Sequence, residues 1–221
     1  MKRAEFISKC AILGVSGISG MSVLSGCGRD ETISPVEDLM REHGVLSRVM
    51  LIYDTCRERL ESGDQNIRQS ILAAAGIVRN FIENYHEKLE EDHVFPAFMK
   101  TDQMAALVQM LAIQHKQGRG ITERIMLLAK DPSSAVNNEL TKELMAFNRM
   151  YRPHAAREDT VLFPGLKNLV SSGDYSSMGE IFEQKEQELF GKEGFHSIVQ
   201  KVENLEKQLN INDLSQFSQG A

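Results

Sequence analysis

An eleven-residue phrase is written twice in this chain, and both copies carry a histidine and a glutamate one helical turn apart. The first copy is His86-Glu87-Lys88-Leu89-Glu90-Glu91-Asp92-His93-Val94-Phe95-Pro96. The second is His154-Ala155-Ala156-Arg157-Glu158-Asp159-Thr160-Val161-Leu162-Phe163-Pro164. Aligned without a gap, they share the leading His, the Glu four residues on, an acid after it, and a closing Phe-Pro. Residues i and i+4 lie on one face of a helix. Two such pairs on facing helices put two imidazoles and two carboxylates within reach of the same cations.

The scaffold that brings them together is legible as helical periodicity. Only five prolines occur in 221 residues, and tryptophan is absent. The first helix opens at Ser34-Pro35-Val36-Glu37, with Ser as N-cap, Pro at the first helical position and Glu at the third. Its apolar stripe is Leu39, Leu46, Met50 and Tyr53, with His43 on the same stripe, and Gly63 ends it. A second helix is predicted over about 64–99, with His86 four residues after Ile82. A third covers about 102–128, with His115 four residues after Leu111. Asp131-Pro132-Ser133-Ser134 is the clearest turn. A fourth runs over about 138–170, with Leu140, Leu144, Phe147, Tyr151 and His154 inward, and Ser171-Ser172-Gly173-Asp174 closes it.

Four long helices joined by short turns predict an all-α, antiparallel up-down four-helix bundle over residues 34–171, whose core can carry ligands from facing helices. The extension 172–221 contains a charged amphipathic segment, about 177–209, broken at Gly191 and Gly194 and expected to pack across the outside. His43 and His115 are the lone inward histidines of helices one and three. The chain thus reads as two helical hairpins, each with one lone His and one His-x-x-x-Glu.

The metal candidates are therefore His43, His86, Glu90, His115, His154 and Glu158. Taken singly, an inward His is more often a core residue, and a His-Glu pair can be a surface pair worth a few tenths of a kcal/mol. Together they are different: burying four imidazoles and two carboxylates without a cation costs many kcal/mol. Imidazole with carboxylate suits iron, manganese and zinc, and the lack of thiolates disfavours copper(I). With two bridging carboxylates, each metal would have two nitrogens and two oxygens, leaving positions open for a small ligand. His93, whose counterpart in the repeat is Val161, reads as packing or support behind the ligands, and His196 as solvated.

Residues 1–27 read as an address. Lys2, Arg3 and Lys9 precede an apolar, glycine-broken run from Ala11 to Leu24, the layout of a secretory signal. Leu24-Ser25-Gly26-Cys27 resembles a bacterial lipobox, which implies lipidation at Cys27, a tether over 28–33 and an exported, membrane-anchored lipoprotein. A retained N-terminal anchor is the alternative. Lys2-Arg3-Ala4-Glu5-Phe6-Ile7 also resembles a twin-arginine signal that lacks its second arginine. Cys10 would leave with the leader, so Cys56 would have no intramolecular partner. The net charge of -6 and the absence of a basic stripe argue against a nucleic-acid partner.

Arg41-Glu42-His43-Gly44, His86-x-x-x-Glu90, Gln114-His115-Lys116-Gln117-Gly118-Arg119 and His154-x-x-x-Glu158-Asp159 with its Val-Leu-Phe-Pro ending resemble a hemerythrin-like HHE cation-binding domain. The resemblance implies a non-haem, carboxylate-bridged centre of two iron ions that binds or senses dioxygen, nitric oxide or peroxide, with Glu90 and Glu158 as bridges. It also raises Glu87 as a further ligand and Tyr151 as a support for His154. Arg119 stands where oxygen-carrying hemerythrins have a second histidine on the third helix, and His154 is followed by Glu158 rather than by a more distant Asp. A binding or sensing protein is favoured over an enzyme, because no separate substrate domain or cofactor motif is present. A di-iron peroxidase or oxidase acting on reactive oxygen or nitrogen species, or iron handling, is the alternative.

Overall fold

The computed structural model describes residues 33–101 and 103–218. The leader, Cys27, most of the tether and Asp102, at the expected start of the third helix, lie outside the described residues. Among those described there is no strand, and no helix is long and apolar enough to cross a membrane.

Helix α1 spans Pro35–Glu61, and the Ser34 hydroxyl accepts the Glu37 N–H at 3.2 Å as its N-cap. The second arm is a succession rather than one α-helix: α2 (Arg68–Ile77), a π-helical stretch (Val78–His86), α3 (Glu87–Leu89), a second π-helical stretch (Glu90–Val94) and α4 (Phe95–Met99). Helix α5 (Ala105–Lys130) returns. The fourth arm is α6 (Asn137–Arg157), a π-helical stretch (Glu158–Leu162) and α7 (Phe163–Leu169).

The π turns correct the expectation of uninterrupted α-helix, and the repeated Phe-Pro accounts for two of them. A proline inside a helix has no N–H to give to the carbonyl four residues back, and its ring crowds that carbonyl. The chain widens by one residue just before each proline: the Phe95 N–H bonds to the Glu90 carbonyl and the Phe163 N–H to the Glu158 carbonyl. Such turns cluster at functional sites, and here they fall on the two expected bridging residues.

The four arms form a ring in which α1 packs on α2 and α6, and α5 on α2 and α6. The core is aliphatic and aromatic. Leu39, Val49, Ile52, Tyr53, Ile71, Phe81, Phe147 and Leu166 are buried in it, with Tyr53 edge-on to Phe147 at 5.1 Å.

The fifth segment is two helices, α8 (Ser172–Phe190) and α9 (Gly194–Gln208). Ser171 to Asp174, read from sequence as a terminator, also starts α8, because the Ser171 hydroxyl accepts the Asp174 N–H at 3.1 Å. Gly191 and Gly194 both take positive φ at the corner, conformations that favour glycine. The pair lies over α1 and the second arm, with Phe190 and Phe195 against Phe81 and Phe190 also against Tyr85. His93 is half-buried and packs toward Phe182 of α8, ring centres 5.9 Å apart. His196 is exposed.

Candidate metal centre

The four inward arms bring His43, His86, Glu90, His115, His154 and Glu158 into one buried cluster. His43, His86 and Glu90 offer ligand atoms within 4.8 Å of one another, and so do His115, His154 and Glu158. His43 Nε2 faces His86 Nε2 at 3.0 Å, and His115 Nε2 faces His154 Nε2 at 3.2 Å. Two nitrogens bound to one ion at about 2.1 Å each and at right angles stand about 3.0 Å apart, so both pairs have the spacing of neighbours around a cation.

The carboxylates cross between the pairs. Glu90 Oε2 lies 3.6 Å from His86 Nε2 and 3.4 Å from His115 Nε2. Glu158 Oε2 lies 3.1 Å from His154 Nε2 and 3.4 Å from His43 Nε2. Both glutamates have 0% exposure, and neither oxygen of either meets a hydrogen-bond partner among the described residues. Two buried carboxylates without a hydrogen bond carry a large desolvation cost, which the facing imidazoles offset only in part. A cation within reach of all six side chains removes that cost, so this donor set fits a metal.

Each imidazole is also held from behind, at Nδ1. With Nε2 given to a cation, Nδ1 keeps the proton and donates it. Asp159 accepts from His43 at 2.7 Å, Glu42 from His86 at 2.8 Å, Glu91 from His115 at 3.2 Å, and Gln114 from His154 at 2.9 Å. Phe163 stacks on His43 and Phe95 on His115, ring centres 5.6 and 5.3 Å apart. The repeat thus has one meaning throughout. Its His and Glu face the shared cluster of ligand atoms, and its next acid and its Phe grip the lone His of the other hairpin.

Glu87 faces another set of partners. Its Oε1 accepts the Tyr151 hydroxyl at 2.6 Å, and its Oε2 lies 2.8 Å from Arg119 Nη2. Glu87, Glu91 and His115 nevertheless offer ligand atoms within 4.8 Å of one another. Tyr151 also stands edge-on to His154, ring centres 5.5 Å apart. Arg119, at the position of the missing histidine, clamps Glu91 at 2.6 Å. Sequence reasoning missed Glu42, Glu91, Gln114 and Asp159 as holders of the imidazoles. Two signals existed: the acid after each repeat glutamate, and the matching position of Glu42 and Gln114 just before each lone histidine.

By the protein's own charges the site divides its protons unevenly. Burial pushes the His43 imidazole down, but Asp159 and Glu158 outweigh it and raise it to about 10. His115 likewise rises to about 10, burial being outweighed by Glu90 and Glu91. Burial dominates at His86 and lowers it to about 4. Glu90 is pushed up by burial and by Glu158. Glu158 is held low despite burial, by His154 and His43. Burial lifts Glu87 to about 7.

The family model of the hemerythrin HHE cation-binding domain matches residues 34–166. The chain belongs to the hemerythrin HHE cation-binding family. Relatives 40% identical over 222 residues, spanning 96% of this chain and 87% of their own length, are uncharacterized proteins of Mycobacterium bovis (strain ATCC BAA-935 / AF2122/97) and of Mycobacterium tuberculosis strains CDC 1551 / Oshkosh and ATCC 25618 / H37Rv. No solved structure matches. As an HHE-family protein it is a cation binder by family and an all-α hemerythrin-like helical bundle by fold.

Proposed function

We propose that this HHE protein holds two non-haem iron ions bridged by Glu90 and Glu158, and binds or senses dioxygen, nitric oxide or peroxide there. The observation that carries the reading is the pair of fully buried carboxylates whose oxygens lack hydrogen bonds among the described residues and whose two Oε2 atoms face four Nε2 atoms. Iron suits an imidazole and carboxylate donor set, and when bound it supplies redox electrons and open coordination positions. The chain's own residues do the rest. His43 and His86 hold one position, His115 and His154 the other, and the Nδ1 acceptors fix ring orientation. Phe95, Phe163 and the buried aliphatic wall restrict water.

A second reading, a peroxidase or oxidase that removes reactive oxygen or nitrogen species, is favoured by one observation. Glu87, lifted by burial to about 7, and the Tyr151 hydroxyl form a buried hydrogen-bonded pair beside His154, which can hold a proton on Tyr151 Oη close to the centre.

The test is metal content and visible spectrum in air for residues 28–221, for His86→Ala and for His154→Ala. About two irons per chain with charge-transfer bands, lost in both variants, is the expected result. One zinc, or no metal with variants as stable as the parent, sinks the reading. Peroxide consumption with a reductant separates the second reading from the first. The leader-like 1–27 supports a lipid anchor at Cys27 on the exported side of a membrane; Cys27→Ser should shift the protein from the membrane to the soluble fraction.

A further inference from the structure

The two hairpins give the cations matched ligands but mismatched backing. Behind the His43–His86 pair both Nδ1 acceptors are carboxyl groups, Asp159 at 2.7 Å and Glu42 at 2.8 Å. Glu42 is fully buried, and Asp38 and Glu186, with oxygens within 4.8 Å, press it toward protonation, which the His86 Nδ1–H and a cation on His86 oppose. Behind the His115–His154 pair one acceptor is the neutral amide of Gln114, at 2.9 Å, and the other is Glu91, at 3.2 Å. Glu91 is already engaged by Arg119 Nη2 at 2.6 Å and Lys88 Nζ at 3.0 Å. The other carboxylate at that end, Glu87, is paired with the same Arg119. Distance and charge favour the same side.

An imidazole whose Nδ1–H meets an anionic carboxylate is a more basic ligand at Nε2 than one that meets an amide, and removing such an acceptor costs about 10–100-fold in metal affinity. A negative charge behind the ring also attracts the cation directly, in a buried region where screening is weak. We propose that the His43–His86 position takes up a divalent cation first, and that Glu42, standing where the other hairpin has Gln114, sets this order. The inference rests on the dinuclear reading. It makes Glu42 and Gln114 positioning residues that act through His86 and His154.

Cobalt(II) is the probe, titrated without oxygen into the metal-free full chain and followed by its visible bands and by heat. Repulsion between two cations alone separates the two binding steps, so the variants decide. Glu42→Gln should weaken the first equivalent by about 10–100-fold and leave the second within about threefold. Gln114→Glu should tighten the second equivalent by a similar factor and spare the first. Each variant's helical circular dichroism shows whether it has folded; if Glu42→Gln has not, Gln114→Glu decides alone. The inference is overturned if Gln114→Glu acts on the first equivalent, or if the folded variants leave both constants unmoved while two ions still bind, an outcome that spares the dinuclear reading. Uptake that stops at one ion per parent chain overturns that reading as well.

Discussion

A Cβ placed on Gly118 would stand 2.0 Å from the Tyr151 hydroxyl oxygen. No rotamer change of a flexible tip relieves this, because Tyr151 is a fully buried ring wedged between Phe147 and His154. Gly118→Ala should therefore displace Tyr151 from Glu87 and destabilise the fold by about 1–3 kcal/mol, read as a lower urea midpoint. Cys56 is the opposite case. It has 0% exposure, and burial pushes its thiol up to about 12. The thiolate is the reactive form, so a disulfide exchange reagent should leave Cys56 untouched in the native protein and titrate one thiol on unfolding, once Cys10 and Cys27 are removed or substituted. At this scale the sequence announced the inward histidines and the repeat glutamates, because each falls on an apolar stripe. It did not announce Glu42 and Gln114. A polar side chain beside an inward residue reads as solvent-facing, and only the packing of the neighbouring arm shows that it reaches an imidazole.

The four arms of the bundle were legible in number and rough extent, and their interior was not. A π turn adds one residue to one turn, too small a change to disturb an apolar pattern. Pro96 and Pro164 were visible yet compatible with helix continuation, and only the bonds from Phe95 and Phe163 to Glu90 and Glu158 show how they are accommodated. The extension was seen as one broken helix across the outside, whereas α8 begins earlier because the residues that end the fourth arm also cap it. Its attachment is mostly apolar, with Phe182 fully buried, reinforced by Arg48 Nε on Glu206 at 2.8 Å. Phe182→Ala should cost about 3–5 kcal/mol while leaving the number of metal ions bound per chain unchanged, checked by thermal melting and metal analysis of the same sample. Loss of metal at full stability would show that α8 belongs to the centre rather than to its enclosure.

For the whole molecule, the proposed centre should couple metal to folding. Six buried polar side chains gather where a bundle of this size would otherwise place leucines, so removing metal with a chelator should lower the melting temperature, and adding it back at 100 times its dissociation constant should restore about 2.7 kcal/mol. Acid should weaken binding. His43 and His115 are raised to about 10, so in the metal-free protein both are charged at neutral pH and must shed protons to become ligands. His86, lowered to about 4, is already neutral there. Affinity should therefore climb as pH rises from neutrality toward 10 and fall below neutrality, with proton release visible as a dependence of binding heat on the buffer's ionisation enthalpy. A flat profile would mean that the two imidazoles are not ligands.

The repeat also divides labour across the molecule. Glu91 and Phe95 serve His115, and Asp159 and Phe163 serve His43, so each hairpin gathers three ligands of its own but depends on the other to hold its lone histidine. Yet each carries every kind of part the centre uses. Two copies of a single hairpin, related by a two-fold axis, would supply the same six ligands and the same reciprocal grips. The turn near Asp131-Pro132 thus joins two halves alike in their ligands and unlike in their backing, and the bundle axis has the symmetry of an interface between two copies, held within one chain.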